Sequence, residues 1–533
     1  MLIFLHRFNR LLGFEQLSSK SGALPRGALL LMLALSGCAT VDAPSKPPMQ
    51  SALAVVAGKP LDVINRITWG VNASTMQQVD QIGVSRYLDA QLTQKRALPA
   101  AISQQITDMT IVKQDMPSLV AELEQRRKDA DIIKDDDAKK VAQQAYQNEM
   151  NRVAREASTR ALMRAVYSPN QLQEQMVWFW MNHFSIHQGK HNIRAMIGDF
   201  EESAIRPHVL GKFRELLTAT VFHPAMIRYL DNEQNAVNRI NENYARELME
   251  LHTLGVGGGY SQKDVQELAR VLTGVGVNLG TTKPNVRKEI AAQYVRSGIF
   301  EFNPNRHDYG DKLLLGRTLK GRGLAEVNEA IGLLARHPST ARYVCSKLAI
   351  YFVADQPPAA LVDRMTVTFL QTDGDISATL RTLFASNEFN ASLGHKFKTP
   401  MQYVVSAVRL AYDDKPILNA GPMQNWLNRM GQPLFGRQTP DGYSMIESAW
   451  ASPGQMNTRF EIAKAIGSGS AGLFKTEGPQ PVEKPAFPQL ANALYYNQIE
   501  RSLNQATRKA LEQSATPQEW NMVLLSAPEM MYR

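Results

Sequence analysis

Residues 241–274 are the part of the sequence that most restricts the fold, because two helical patterns are joined there by a glycine-rich turn. Asn241 is the expected N-cap of the first helix, and Gly255 is expected to end it. Ser261 and Asp264 have the spacing of a capping box for the second helix. Each helix has one apolar stripe, formed by Tyr244, Leu248 and Leu251 in the first and by Val265, Leu268 and Leu272 in the second. The segment therefore predicts an αα-hairpin.

Most of the remaining sequence is also helical in pattern. Residues 117–166 carry dense mixed charge with few apolar positions, which predicts a long exposed helix or a helical hairpin with ion pairs at i,i+4 spacing. The next helix is expected to start with Ser168 as N-cap and Gln171 closing a capping box. Its inward face is Leu172, Met176, Phe179 and His183. We therefore expect an all-α fold, a large multi-helix domain covering residues 59–533.

One short β-hairpin is expected to interrupt the helices, between residues 298 and 316. Phe300 and Phe302 alternate in the manner of a strand, and a loop rich in Pro, Asn, Gly and Asp separates them from the apolar run of residues 313–315. His307 and Asp308 fall in that loop, near the expected tip of the hairpin.

The N-terminus resembles a bacterial lipoprotein signal. Basic residues precede a short apolar segment, too short to span a membrane, and it ends in the lipobox-like sequence Leu-Ser-Gly-Cys at residues 35–38. The resemblance implies cleavage before Cys38 and lipidation of that residue, with residues 1–38 as signal peptide and residues 39–58 as a flexible tether. Ala39 follows the cysteine, which favours the outer membrane, with the protein facing the periplasm.

Composition and motifs exclude several classes of function. The formal net charge of the 533 residues is +9 without a basic block, so we expect no nucleic-acid partner. The sequence lacks the motifs of zincins, P-loop NTPases, α/β-hydrolases and thiol oxidoreductases. Cys345 lies in an amphipathic helical stretch, where we expect a small buried apolar side chain and not a nucleophile.

Six titratable residues are candidates for a catalytic or metal site: His183, Asp231, Glu247, Glu250, His307 and Asp308. Glu247 and Glu250 share a polar stripe with Asn243, where they could bind a divalent metal or act as an acid–base pair. Alternatively they could bind arginines, either from neighbouring helices or Arg246 in the case of Glu250.

Two alternatives stay open for the histidines around residue 183. His183, His187 and His191 would share one helical face and could bind a metal if their segment were a single helix. Gly189 indicates that the helix ends before it, which leaves His183 as a buried histidine held by a neighbouring carboxylate.

Many sequence blocks resemble one bacterial family, the domain of unknown function 1800 family. They include QLQEQMVWFWMNHF at 171–184, HPAMIRYLDN at 223–232, NENYARELMELHTLGVGGGY at 241–260 and HDYGDKLLLG at 307–316. The resemblance covers nearly the whole chain after residue 57 and implies a helical, exported protein without an assigned activity. It also implies a partner, because relatives are encoded beside a secreted, sulfatase-like protein.

Two functions are compatible with these observations. One is a periplasmic, metal-assisted hydrolase that uses the six candidate residues. The other is a non-catalytic scaffold or assembly lipoprotein that binds a secreted partner protein. A shared cleft containing all six residues would favour the hydrolase.

Overall fold

Helices dominate the part of the chain that the computed structural model describes, residues 58–475 and 487–533. The predicted signal peptide, its lipidation site Cys38 and the tether up to residue 57 lie outside the described residues. The described residues form one compact unit, and none of their helices is long and apolar enough to cross a membrane.

The helices are numbered in chain order up to the β insertion. They are α1 (Pro60–Ile67), α2 (Ala73–Ile82), α3 (Val84–Thr93), α4 (Ala100–Thr107), α5 (Thr110–Lys113), α6 (Met116–Asp131), α7 (Asp136–Tyr167), α8 (Gln171–His183), α9 (Ile197–Asp199), α10 (Phe213–Val221), α11 (Pro224–Tyr229), α12 (Asn243–Glu247) and α13 (Gln262–Val271). Two π-helical turns continue α9 and α12 directly: Phe200–Ile205 and Leu248–Thr253.

A second set of helices follows the β insertion. They are α14 (Leu324–Ala335), α15 (Pro338–Phe352), α16 (Ala359–Gln371), α17 (Ile376–Phe384), α18 (Asn387–Ser392), α19 (Pro400–Tyr412), α20 (Gly421–Arg429), α21 (Pro453–Gly467), α22 (Gln505–Glu512) and α23 (Pro517–Ser526). The prediction of an all-α, multi-helix fold is confirmed. Cys345 in α15 is fully buried, and burial raises the pKa of its thiol to about 12, as expected for an apolar role.

The charged segment at residues 117–166 forms a helical hairpin of α6 and α7. Its exposed faces carry the predicted i,i+4 ion pairs, such as Arg126 with Glu122 at 2.6 Å and Arg127 with Asp131 at 2.9 Å. Such exposed pairs contribute little stability each, so the buried stripe of the longer helix holds the hairpin to the core.

Helix α8 is central to the fold and is buried on nearly all sides, in contact with α1, α3 and α7. The predicted capping box at its start is wrong, because Asn170 occupies the cap position and no side chain caps the helix. The Asn170 amide instead binds the backbone of Arg96, and the Gln171 amide donates to the carbonyls of Ala165 and Ser168. These polar groups therefore connect α8 to the preceding segments.

The β insertion is antiparallel, as predicted, but it pairs differently. Strand β3 (Phe300–Phe302) lies between β1 (Val275–Val277) and β2 (Val295–Ser297), and β4 (Lys312–Leu314) pairs with β5 (Arg317–Leu319). The pairs β2–β3 and β4–β5 are thus hairpins of strands that are adjacent in sequence, which require the shortest loops. Leu315 and Gly316 both have positive φ in the tight turn of the second hairpin.

The predicted αα-hairpin is present as α12 and α13, and Ser261 with Asp264 forms the capping box at the start of α13. Asn241 is not the N-cap of α12, since Glu242 occupies that position. The Asn241 side chain instead accepts a hydrogen bond from the Asn243 N–H and donates one to the Asp231 carbonyl.

Candidate functional site

Glu247 and Glu250 lie where α12 continues into the π-helical turn Leu248–Thr253. A π-helical turn adds one residue to the helical repeat, so the spacing expected for a regular α-helix does not hold there. Both side chains are half-buried, and neither carboxylate forms a hydrogen bond or ion pair within the described residues. The predicted pairing of Arg246 with Glu250 is wrong, because Arg246 binds Glu242 at 2.9 Å.

Three tyrosines and a third carboxylate lie close enough to Glu247 and Glu250 for their charges to affect one another. We call the six residues the carboxylate–tyrosine face: Tyr229, Glu247, Glu250, Tyr260, Tyr343 and Asp441. Burial raises the pKa of the Glu247 carboxyl, and the charges of Glu250 and Asp441 raise it further against the opposing effect of Arg246. Burial likewise raises the pKa of Tyr343 to about 12, with Glu250 and Asp441 adding to the increase. The charges of Glu247, Glu250 and Asp441 therefore influence one another or the tyrosines beside them, and of the three carboxylates Asp441 has a cationic partner, Arg437.

Close packing positions this face. Gly255 has a φ of +83°, and a Cβ placed on it would lie 2.7 Å from Cδ2 of Tyr343, so only glycine lets α15 approach the end of the π-helical turn. The loop that carries Asp441 is held against α8, because the Asn182 amide exchanges two hydrogen bonds with the backbone of Tyr443.

Lys347 adds a cation near the same elements. Its Nζ lies 5.3 Å from the ring centroid of Tyr343, and it forms no hydrogen bond or ion pair with another described residue. Burial lowers the pKa of Lys347 to about 8, and the Asp441 charge partly opposes this change.

His183 and His252 lie next to each other inside the core. The His183 Nε2 is 3.0 Å from the His252 carbonyl, and their ring centroids are 6.1 Å apart. Burial, followed by the charge of Lys347, lowers the pKa of His183 well below its usual range and that of His252 to about 3. Both imidazoles are therefore neutral at pH 7. His183 is a buried histidine, but its partner is a carbonyl instead of the expected carboxylate.

Asp231 lies two residues after the end of α11 and has a left-handed backbone, at φ +60°. Its carboxylate binds Lys190 Nζ at 2.8 Å and lies 3.9 Å from His191 Nε2. This candidate therefore already has a cationic partner and is not part of the carboxylate–tyrosine face.

His307 belongs to a different, buried network, and Asp308 beside it forms a partly exposed ion pair. His307 Nε2 is 3.0 Å from Glu326 Oε1, and Lys312 Nζ is 2.5 Å from the same oxygen, with all three side chains fully buried. Asp308 binds Arg270 through both carboxylate oxygens, at 2.8 and 3.2 Å. The expected position near a hairpin tip is wrong, because β3 and β4 do not pair with each other and the loop between them contacts α13 and α14.

No group of three or more His, Cys, Asp or Glu side chains in residues 58–475 and 487–533 has the arrangement of a metal site. Helix α8 ends at His183, so His187 and His191 do not share a helical face with it. The structure brings Glu247 and Glu250 together and places Asp231, His183 and the pair His307–Asp308 in separate surroundings.

Sequence reasoning missed Lys347, Asp441 and Glu326. Lys312 and Leu314 alternate on one side of a short strand, and that period of two is a signal that could have placed Lys312 inward with a partner carboxylate. Asp441 lies in an irregular loop, where no periodic pattern predicts its neighbours.

The fold and the site define a mainly helical protein with a small antiparallel β insertion and a half-buried carboxylate–tyrosine face. The chain belongs to the family described as Protein of unknown function (DUF1800), which matches residues 62–532. This confirms the family resemblance seen in the sequence. No curated protein and no solved structure matches the chain.

Proposed function

We propose that the protein is a lipid-anchored protein of the bacterial cell envelope that binds a secreted partner protein through its carboxylate–tyrosine face, without catalysing a reaction on it. The observation that carries this proposal is that Glu247 and Glu250 have no hydrogen-bond or ion-pair partner in residues 58–475 and 487–533, whereas Asp231 and Asp308 bind cations of the protein itself. A partner segment bearing lysine or arginine would supply the missing cations.

The surroundings of the two carboxylates suit a protein contact. Tyrosines provide a large contact area together with a polar group, and they are enriched among the residues that dominate binding energy at interfaces. Tyr260 and Tyr343 are half-buried, and the charge of Glu250 adds to burial in raising their pKa values. Tyr229 is buried and its hydroxyl donates to the Gln438 carbonyl, so it supports the site from within. Asp441 adds negative charge, although Arg437 binds it at 2.8 Å.

The test uses the secreted, sulfatase-like protein that the family resemblance implies as the probe. Its affinity is measured by calorimetry against the wild-type protein and the variant Glu247→Gln/Glu250→Gln. We expect the double variant to bind at least about tenfold more weakly, and the wild-type affinity to fall with added salt. Equal affinity of the two proteins would contradict the proposed binding face.

A matched control separates the site from the overall charge. Asp80→Asn/Glu289→Gln also removes two negative charges, at exposed positions without hydrogen-bond or ion-pair partners among the described residues. We expect this control to bind the partner as the wild type does.

The metal-assisted hydrolase is the alternative that metal analysis tests directly. Its six candidate residues would have to act from separate surroundings, and only Glu247 and Glu250 offer free carboxylates. A stoichiometric divalent metal in the purified protein, lost in Glu247→Gln/Glu250→Gln, would favour the hydrolase and count against the binding function.

Localisation has its own test. Cys38→Ser removes the thiol to which a lipid would be attached, so we expect this variant to move from the outer-membrane fraction to the periplasmic fraction. An unchanged distribution would show that the lipobox resemblance does not determine the location.

A further inference from the structure

A cavity of about 580 Å³ lies away from the carboxylate–tyrosine face, between α1, α19 and the C-terminal segment. This volume is within the range typical of small-molecule sites. Apolar side chains form part of its wall, among them Leu61, Ala407, Leu410, Ile499, Leu503 and Leu525. We call it the C-terminal cavity.

Cations exceed carboxylates in the lining of the C-terminal cavity. Lys59, Lys398, Arg501 and Arg533 line it, together with the carboxylates of Asp62 and Glu529. Glu529 already accepts hydrogen bonds from the Asn504 N–H at 2.7 Å and from the Thr507 hydroxyl at 3.0 Å. The positive charge of the cavity is therefore not balanced by its own acidic residues.

Lys398 is the buried cation of this lining that has no partner among the described residues, whereas Lys59 and Arg501 are exposed. Its side chain is only 6% exposed, and its Nζ forms no hydrogen bond or ion pair with another described residue. The backbone around it is fixed, since the Lys398 N–H donates to the Met531 carbonyl and the Lys398 carbonyl accepts from Arg459. A buried ammonium without a counter-charge is costly, and an anion in the cavity would remove that cost.

We propose that the C-terminal cavity binds a small organic anion with an apolar body, and that Lys398 receives its charged group. The apolar wall would hold the body, and the excess of cations would select against neutral and cationic molecules. The proposal is independent of the carboxylate–tyrosine face, because none of its residues lines this cavity.

The ionisation of Lys398 supports the proposal. Burial, reinforced by the charges of Arg459 and Arg533, lowers the pKa of Lys398 to about 7. A bound anion would favour the ammonium form, so binding should take up a proton and weaken as pH rises through this value. The other charged groups of the lining are Lys59, Asp62, Arg501, Glu529 and Arg533, and Arg459 acts on Lys398 while Arg66 and His395 act on Asp62. Burial raises the pKa of the lining Tyr403 and Tyr532.

The experiment is calorimetric titration of the purified protein with hexyl sulfate and with hexanoate, whose charges do not change between about pH 6 and pH 8.5. We expect both to bind, with affinity about tenfold or more lower at the higher pH. Hexanol and inorganic sulfate each lack one half of the proposed ligand, so both should bind more weakly than hexyl sulfate. Equal binding of either one, or no binding of hexyl sulfate at millimolar concentration, would overturn the proposal.

Two substitutions make the test specific. Lys398→Met removes a charge that has no internal partner, so the variant should fold and should lose at least about tenfold in affinity. Lys398→Arg keeps a permanent charge, so it should retain binding but lose its dependence on pH. Lys288→Met is the control, because Lys288 is exposed and remote from the lining. If Lys398→Met bound hexyl sulfate as tightly as the control, Lys398 would not be the receiving cation.

Discussion

The buried network around Glu326 and the carboxylate–tyrosine face use similar residues for opposite purposes. In the network, the Glu326 carboxylate is within 3.0 Å of both His307 and Lys312, and no side chain is exposed. In the face, Glu247 and Glu250 are half-buried neighbours of the same charge, and neither has a hydrogen-bond or ion-pair partner in the part of the chain that the structure describes. A high density of titratable residues therefore does not by itself identify a site. The informative feature is that some of them lack a partner of opposite charge within the protein.

The two regions should also differ in how a substitution changes the free energy of unfolding. Removing the Glu326 carboxylate would leave the buried Lys312 without its counter-charge, which is strongly destabilising. Removing a carboxylate that has no partner relieves repulsion and desolvation instead. Stability measurements therefore distinguish the two regions without any knowledge of the ligand.

Glu326→Gln should have the largest effect. The amide keeps the shape of the side chain but removes the charge that balances Lys312, so we expect the free energy of unfolding to fall by about 3 kcal/mol. Urea denaturation at pH 7 measures this change. The matched double variant Lys312→Met/Glu326→Leu removes both charges and should be more stable than Glu326→Gln. A loss below about 0.5 kcal/mol for Glu326→Gln would show that the network is not closed as described.

Asp308→Asn should have an intermediate effect. Burial would raise the pKa of this carboxyl, but the hydrogen bonds and charge of Arg270 lower it below its ordinary value of 3.8. The ionised form is thus favoured in the folded state, and its contribution is present above pH 3.8 and disappears as pH falls through the lower, folded-state pKa.

For this partly exposed pair we expect a loss of about 1 kcal/mol at neutral pH, and almost none at the lowest pH where the protein stays folded. Asp80→Asn is the control, because Asp80 is exposed and has no hydrogen-bond or ion-pair partner among the described residues, so its loss should change stability little at any pH. A loss that persisted unchanged at low pH would mean that Asp308 contributes through its shape and not through its charge.

Much of the fold followed from local patterns, because helix signals are local. The capping box of Ser261 and Asp264, the charged hairpin α6–α7 and the buried face of α8 depend on residues within a few positions of each other. The start of α8 and the β pairing were not predictable in this way. The Asn170 side chain binds Arg96, and β3 pairs with β1 and β2 instead of the apolar run after the loop.

The candidate site was predictable only in part, for the same physical reason. Glu247 and Glu250 are neighbours on one helical segment, so their spacing in the sequence indicates a shared environment. The partners of His307 and the additional carboxylate Asp441 come from distant parts of the chain. Whether a polar residue is paired or free depends on such contacts, and the sequence does not contain a local signal for them.

Glu247→Gln should have the smallest effect on stability, and its sign is the sharpest test of the comparison. Burial and Glu250 raise the pKa of Glu247 in the folded protein above its ordinary value of 4.5, so the unfolded chain binds fewer protons there and the ionised carboxylate destabilises the fold. The substitution should therefore stabilise the protein at pH 7, by about 0.5 kcal/mol once solvent screening of the half-exposed group is included. The gain should shrink as pH falls and vanish below about 4.5, where the wild-type carboxyl is protonated in both states.

Urea denaturation of the wild type and the variant across this pH range measures the change in the free energy of unfolding, with Glu289→Gln as the exposed control. A destabilised variant at neutral pH would mean that Glu247 has an internal role like that of Glu326, and the contrast between the two regions would fail.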